Sequence, residues 1–550
     1  GTSAPSGDVR EPIVVVPFEV RGTDPALASL GAQAADQITA AIEQATLGRT
    51  VAYRVAGQST AFTPEVAKTI VKATGAATLV TGVISQRGDS IEVQTKLVRT
   101  RNFETIWSLG PEVRALSAAS TALAAIQDRV LGAVGTYFTS ISRNPSIYQP
   151  APSLEIFRLQ DKAEALYRQQ KYADAIPLFQ QALERDGNWL HGVRRLMELH
   201  WDAGVNGAGS FRYADVNALL SRLEAQRSRL AKGDALAFDR DVDIMRGSPE
   251  DEYRAATVLY QADSAMAYEA MLSSLEANRP EEALRYYRLR DTSSVWGREW
   301  QLWDAQAARA YHSLGKFAEE LALARSALAP DPGVTQHLVS AVRALGAMGS
   351  KDSIDALINQ SYSAPDPIGP GMVMIQALLE LQLHGHTDLA RSIAERAVAW
   401  AGNVPPTLKN AIGVRNTLRG AHRVLGNRDQ VRRLYAEEVR AGRGSGFASA
   451  VLGMRDAIVM GDTAGALALV DTLRTAPMER FRAGNWAARG VPLYYGAQIL
   501  ALLGRKEEAV GMLRDALNNG WRLAPDEAVQ WYWAPIKNYP PFQELVRIKR

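Results

Sequence analysis

The feature that most constrains this 550-residue chain is internal self-similarity. From Tyr172 onward, Ala175, Phe179 and Ala182 fall on one helical stripe. The same spacing, four residues and then three, returns at Ala390, Ala394 and Ala397 and again at Ala509, Leu513 and Ala516. Small residues flanking a bulky one let two helices approach closely and interlock. A degenerate copy at Glu320, Ala324 and Ala327 follows Ala308, Tyr311, Leu314 and Gly315 and precedes Pro332. Glu320, Asp355 and Ala390 stand in two successive steps of 35 residues, and Val431 to Ala466 makes another. A helix pair of that size cannot bury its apolar face alone, so the chain must stack its pairs. Residues 188–278 fit the period worst, and at least one helix pair there is expected to be atypical.

The unit from Ala163 to Gly187, with its second helix starting at Lys171-Tyr172, resembles a tetratricopeptide repeat, whose period is ~34 residues. The resemblance implies an all-α, superhelical solenoid over residues 153–550, whose concave face would hold a protein or peptide. The ending, Glu508-Ala509 through Trp521, then Trp531-Tyr532-Trp533-Ala534-Pro535 and Pro540-Pro541-Phe542, resembles the terminal cap of such arrays. There, aromatic residues cover the last apolar face. A sugar- or base-stacking platform is the rival reading of the same cluster.

The first 150 residues follow another rule. Ile13-Val14-Val15-Val16-Pro17-Phe18 is a β-branched run expected to form a strand buried on both faces. Asp24-Pro25 is an N-cap with proline at the first helical position, launching a helix over Ala26 to Gln44. Val51 to Val55 reads as a second strand. Thr63-Pro64 repeats the cap, and Gly75 ends that helix as a left-handed C-cap. Thr78 to Gln86 and Ser90 to Val98 form a hairpin about Arg87-Gly88-Asp89, with Ile91, Val93, Thr95 and Leu97 buried and Glu92, Gln94 and Lys96 wet. Thr105-Ile106-Trp107-Ser108-Leu109 adds a strand and Ala115 to Tyr137 a closing helix.

The expected order is βαβαβββα. With its Val-Val-Pro-Phe opening, its Gly82-Val83-Ile84 strand, the hairpin and Thr105-Ile106-Trp107, it resembles the TolB-like amino-terminal domain that precedes tetratricopeptide repeats in bacterial multidomain proteins. The motifs that carry this resemblance are structural rather than catalytic. The expected organisation is therefore a flexible linker at 1–12, a TolB-like α/β domain at 13–142, a proline-punctuated linker at 143–152 and the solenoid at 153–550. The glycine- and serine-rich opening, without an initiator methionine, is expected to follow a further segment of a parent protein.

Composition excludes several classes of function. With 47% hydrophobic and 22% charged residues the chain is expected to fold, and 62 Lys and Arg against 59 Asp and Glu leave a net charge of only +3. Residues 1–150 carry 13 basic and 12 acidic side chains, so no sign-biased field draws in a nucleic acid. The basic tail Arg547-Ile548-Lys549-Arg550 reads as a solvated terminus. Without cysteine there is no disulfide, thiolate metal site or thiol nucleophile. No apolar run reaches the ~18 residues of a membrane span, so direct insertion by this segment is not expected.

Chemistry-bearing motifs are sparse. No P-loop, zinc-protease helix or nucleophile elbow occurs. Gly442-Arg443-Gly444-Ser445-Gly446 imitates a nucleotide loop but follows a helix rather than a strand, and reads as an inter-helix turn. Asp239, Asp241, Asp243 and Glu250 match calcium-loop positions, yet Ile244 stands where that loop needs glycine, which favours a solvated acidic helix face. The seven histidines are scattered, and His384 and His386 flank Gly385 in what reads as a surface turn without an acidic or histidine partner nearby. Trp296, Trp300 and Trp303 form one helical stripe, expected to be core. No residue is singled out as catalytic, cofactor-binding, metal-ligating or partner-binding, and no cofactor is expected.

The expected function is non-catalytic. In the families it resembles, this two-part organisation is commonly fused to a membrane-anchored serine/threonine kinase, a nucleotide cyclase or a winged-helix regulator. That implies the sensing or partner-binding portion of a bacterial signalling protein on the extracytoplasmic, periplasmic side, with a cytoplasmic location as the alternative. A free envelope scaffold organising a multiprotein complex is the structural rival, and a hidden enzyme the third possibility. The α/β domain could also hold a small ligand at the carboxyl ends of its early strands, by analogy with open α/β sheets.

Overall fold

The computed structural model describes residues 12–549 apart from 25–26, 54–61, 141, 143–144, 206–212, 293–296, 298–301, 330–331, 441–457, 459–460, 462, 483–489 and 524–529. It is mostly helical with one small amino-terminal sheet, and divides into two compact units. One reaches Phe238 and takes in Ala262–Ala265; the other holds Asp239–Gln261 and everything from Met266. The division falls inside the stretch where the repeat period is weakest.

In the first unit β1 (Ile13–Val15) and β2 (Glu19–Arg21) both pair in parallel with β3 (Thr78–Arg87). Pro17 separates them because it has no N–H to give the ladder. β4 (Ser90–Arg99) and β5 (Glu104–Ala115) continue the sheet antiparallel, in the order β1-β3-β4-β5. Two corrections to the expected topology follow. β2 is an additional strand, and the described part of the predicted strand at Val51 to Val55, residues 51–53, is not a strand; just before it, Thr50 makes a single parallel bridge with Ile13. Arg54 and Val55 lie outside the described residues. The described order is ββααβββα.

Local chemistry explains the helices that cover this sheet. α1 (Leu30–Gln44) is N-capped at Ser29 rather than Asp24, and Pro25 lies outside the described residues. α2 (Pro64–Thr74) has the expected cap: the Thr63 hydroxyl accepts from Val66 N–H, and Gly75 closes the helix at φ +68°. α3 (Ala119–Thr139) packs with α1 on the sheet face formed by Ile13, Val15, Val80, Ile91, Val93 and Leu97. α2 covers the opposite face at Val14, Leu79 and Val98. Strand β1 is therefore buried on both sides, as its unbroken β-branched run requires. Gln94 and Lys96 are exposed as the alternation predicted, whereas Glu92 is buried beside Arg87.

The proline-punctuated segment is packed against the sheet and the helices that follow. Trp107 Nε1 donates to the Gln149 carbonyl at 3.1 Å and Trp189 Nε1 to Gln149 Oε1 at 2.7 Å, while Tyr148 and Gln149 are buried. Beyond it, α4 (Leu154–Arg168) presses Phe157 into the sheet core, so that a Cβ at Gly135 would lie 2.5 Å from the Phe157 ring. α5 (Tyr172–Arg185), α6 (Leu190–Val205) and α7 (Tyr213–Ala225) then pack in succession, with Ala175, Phe179 and Ala182 fully buried. α8 (Lys232–Arg246) and α9 (Pro249–Ala262) run through the division between the units.

The second unit continues with α10 (Ala267–Glu276), α11 (Pro280–Arg288), α12 (Leu302–Ser313), α13 (Phe317–Leu328), α14 (Thr335–Met348), α15 (Lys351–Ser361), α16 (Gly369–Leu383), α17 (Thr387–Asn403), α18 (Ile412–Val424) and α19 (Arg428–Arg440). It closes with α20 (Thr463–Arg482), α21 (Gly490–Leu502), α22 (Lys506–Asn518) and α23 (Pro540–Val546). Helices α10, α12, α14, α16 and α18 each touch the next in that series as well as their sequence neighbours, which is the packing of stacked hairpins.

One turn recurs in these hairpins. A residue at positive φ follows the first helix: Gln170, Asn278, Gly315, Gly349, Gly385, Gly426 and Gly504. The next N–H returns to the carbonyl five residues earlier, as in Lys316 to Tyr311, Ser350 to Leu345 and His386 to Leu381. This is the Schellman closure, and it turns the chain back within three residues.

The aromatic ending is packed against the last helices of the unit. Trp533 and Phe542 are fully buried, Tyr494 stacks on Trp521 at 4.0 Å, and the Tyr494 and Tyr532 hydroxyls lie 2.8 Å apart. The tail does not stand free in solvent. Asn278 Nδ2 donates to the carbonyls of Val546 and Arg547, Lys549 N–H donates to the Asn278 carbonyl, and Lys549 Nζ pairs with Glu250 at 2.8 Å. Arg522 also reaches the buried Glu252, so the last helices of this unit are tied to its first.

Candidate functional site

The most unusual polar arrangement in the second unit forms where three hairpins meet. Gly315, at φ +68°, folds α13 back on α12, which brings His312 of the last α12 turn against Glu320 of the first α13 turn. His312 Nδ1 and Glu320 Oε2 are 2.7 Å apart, and Arg343 of α14 donates its Nε to Glu320 Oε1 at 2.6 Å. From α16, Glu380 approaches the other edge of the imidazole, with its Oε2 3.4 Å from His312 Nε2. Gln376, one turn earlier, donates to Glu380 Oε1 at 2.9 Å. His384, one turn later, sets its Nε2 3.7 Å from Glu380 Oε2.

Packing fixes these positions. Gly346 admits α16 against α14, because a Cβ there would lie 2.6 Å from the Cβ of Glu380. The Phe317 ring stands against both imidazoles, 5.2 Å from His312 and 5.1 Å from His384. His312, Glu320 and Glu380 are buried, and the His384 side chain retains 25% exposure. Glu380 Oε2 is buried and accepts no aligned hydrogen bond from the described residues.

Two carboxylates in a dry interior demand positive charge. Burial alone would push the His312 pKa down, but the hydrogen bond with Glu320 and the attraction of both carboxylates, Glu320 and Glu380, outweigh it and raise it to about 9. At neutral pH the centre therefore holds a charged imidazole between two carboxylates, with Arg343 as a second cation. It is built to hold a proton or another cation. One donor atom from each of His312, Glu380 and His384 lies within 4.8 Å of the other two, the one such set of possible metal ligands among the described residues.

The histidines read as scattered along the sequence are thus partly gathered. His384 has an acidic partner four residues away and a histidine partner from another helix, which corrects the reading of an isolated turn. His386 instead faces the Ala347 carbonyl at 3.4 Å. The sequence carried two signals: Glu320 stands where other repeats place Ala175, Ala390 or Ala509, and Glu380 with His384 forms a helical i, i+4 pair.

The remaining sequence candidates resolve as follows. Asp239, Asp241 and Asp243 lie on helix α8 and Glu250 on α9, so they do not form a calcium loop. Asp241 is buried beside Arg240, which also departs from a fully solvated face, and Glu250 pairs with Arg279 and Lys549. Trp303 is core, in edge contact with Tyr268 at 5.1 Å. Trp296, Trp300 and Gly442-Arg443-Gly444-Ser445-Gly446 lie outside the described residues.

No protein-family profile matches the chain, and no curated protein matches it. Among solved structures it is similar to a chain of the crystal structure of the APC/C hetero-tetramer Cut9-Hcn1, at 12% identity, covering 72% of this chain and 82% of that one, with a TM-score of 0.24. A likeness of that size carries no argument about fold or function.

Proposed function

We propose that this chain is a non-catalytic protein-binding scaffold whose stacked helical hairpins present the binding surface. The observation that supports the reading is the recurring hairpin closure, which stacks helix after helix through the second unit and multiplies lateral surface rather than enclosing one pocket. Among the described residues no helix is long and apolar enough to cross a membrane. Our finer reading, the sensing or partner-binding portion of a bacterial signalling protein outside the cytoplasmic membrane, rests on the sequence resemblance of the first domain.

The test is photocrosslinking in cells of the source organism. A crosslinking residue is placed at Met372 of α16 or at Tyr362 beyond α15, both exposed on the hairpin stack, and at Val113 on β5 as a sheet control. Discrete protein adducts from the hairpin positions support the scaffold reading. Adducts from Val113 alone, or none from the stack, overturn it. Removing the α/β domain by truncation after Tyr137 would be a poor control, because α3 covers Phe157 of the first hairpin.

A further inference from the structure

We propose that His312, Glu380 and His384 form a binding site for a divalent transition metal, zinc foremost. The three donor atoms converge from two helices that are not sequence neighbours, and their separations suit one ion. Ligands of a tetrahedral zinc, at ~2.0–2.1 Å from the metal, stand about 3.4 Å apart. Here Glu380 Oε2 lies 3.4 Å from His312 Nε2 and 3.7 Å from His384 Nε2.

The surroundings are those of a supported site. Metal-bound histidines usually give their other ring N–H to a carboxylate, which fixes the ring and aims the ligating nitrogen. Glu320 does this for His312 Nδ1 and is itself held by Arg343. Gln376 holds the other oxygen of Glu380, leaving Oε2 toward the two imidazoles without an aligned hydrogen bond. Two imidazoles and one carboxylate favour zinc or another late first-row ion over magnesium or calcium, which prefer all-oxygen sites. The partial exposure of His384 leaves one side open, so that water can complete the coordination and the ion can enter. Bound metal would join α12 to α16 across the stacked hairpins and thereby stiffen the surface assigned to partner binding. The site itself does not depend on that assignment.

The experiment is titration of the tag-free, chelator-stripped full chain with zinc chloride by calorimetry, and with cobalt chloride by visible absorption. We expect one equivalent to bind, with the intense visible bands of a tetrahedral cobalt centre. His384→Ala, at a partly exposed position, should weaken zinc at least tenfold, and Glu380→Gln should do the same. Glu320→Gln, which touches no metal, should weaken it about 10- to 100-fold, as loss of an outer-shell partner does. Circular dichroism in chelator establishes that each variant is folded. Absence of zinc binding by the full chain, or binding unchanged in both folded His384→Ala and Glu380→Gln, overturns the proposal.

Discussion

Replacing Glu320 with alanine in chelator-treated protein isolates the electrostatic contribution of the buried centre from any metal. The substitution removes one carboxylate from between His312 and Arg343, which approach it at 2.7 and 2.6 Å. Breaking a buried ion pair by deleting one partner costs about 3–5 kcal/mol. The lower end applies here for two reasons. The Arg343 side chain keeps 21% exposure and can regain water, and alanine is the residue other repeats place at this point of the hairpin. We therefore expect a loss of about 3 kcal/mol, which is roughly a hundredfold fall in hydrogen-exchange protection for the α12–α13 hairpin. Urea unfolding of Glu320→Ala, Arg343→Met and the double variant should give a coupling energy of about 1–2 kcal/mol. A single-variant loss below about 0.5 kcal/mol, or additive losses in the double variant, would refute the view that paired charge organises this centre.

Three further outcomes follow from other parts of the molecule. Gly349→Ala should destabilise the second unit by about 1–2 kcal/mol and more than Gly315→Ala, in urea unfolding; both positions have positive φ, but a Cβ at Gly349 would also lie 2.4 Å from the His386 ring, whereas nothing stands within 4 Å of Gly315. Burial pushes the Glu252 pKa up, but Arg522 and Arg240 outweigh it and hold it below the ordinary carboxylate range; its contribution is present above the unfolded value of about 4.3 and lost as pH falls through the lowered folded value, so Arg522→Ala should flatten the acid limb of the stability curve measured by thermal melting. Gly132→Val should open the packing of α3 against the segment before α4, because a Cβ there would lie 2.0 Å from the Pro152 carbonyl oxygen; limited proteolysis should then cleave the variant near Pro150 and leave the unmodified chain uncut there.

How much of this was legible depends on the range of the forces involved. The Thr63-Pro64 cap, the Gly75 C-cap and the Ala175, Phe179, Ala182 stripe appear as expected because each is set by side chains within one or two helical turns. No strand forms over the described residues 51–53 of the second predicted strand, because a β-branched run marks only a capacity to pair, and whether a partner is there depends on the sheet. The 143–152 segment reads as a linker from its prolines, which report on backbone angle and not on contact; Trp107 and Trp189, both distant in sequence, hold Gln149 in place.

By itself, the sequence determined the alternation of elements, the hairpin turns and the two kinds of architecture, since periodicity and capping act locally. Only tertiary packing decided what the hairpins bring together. His312 and Glu380 are 68 residues apart in the chain and 3.4 Å apart in space. Their meeting required two intervening turns at positive φ and one glycine in a helix face, and the field of two buried carboxylates exists only once water has been excluded from around them.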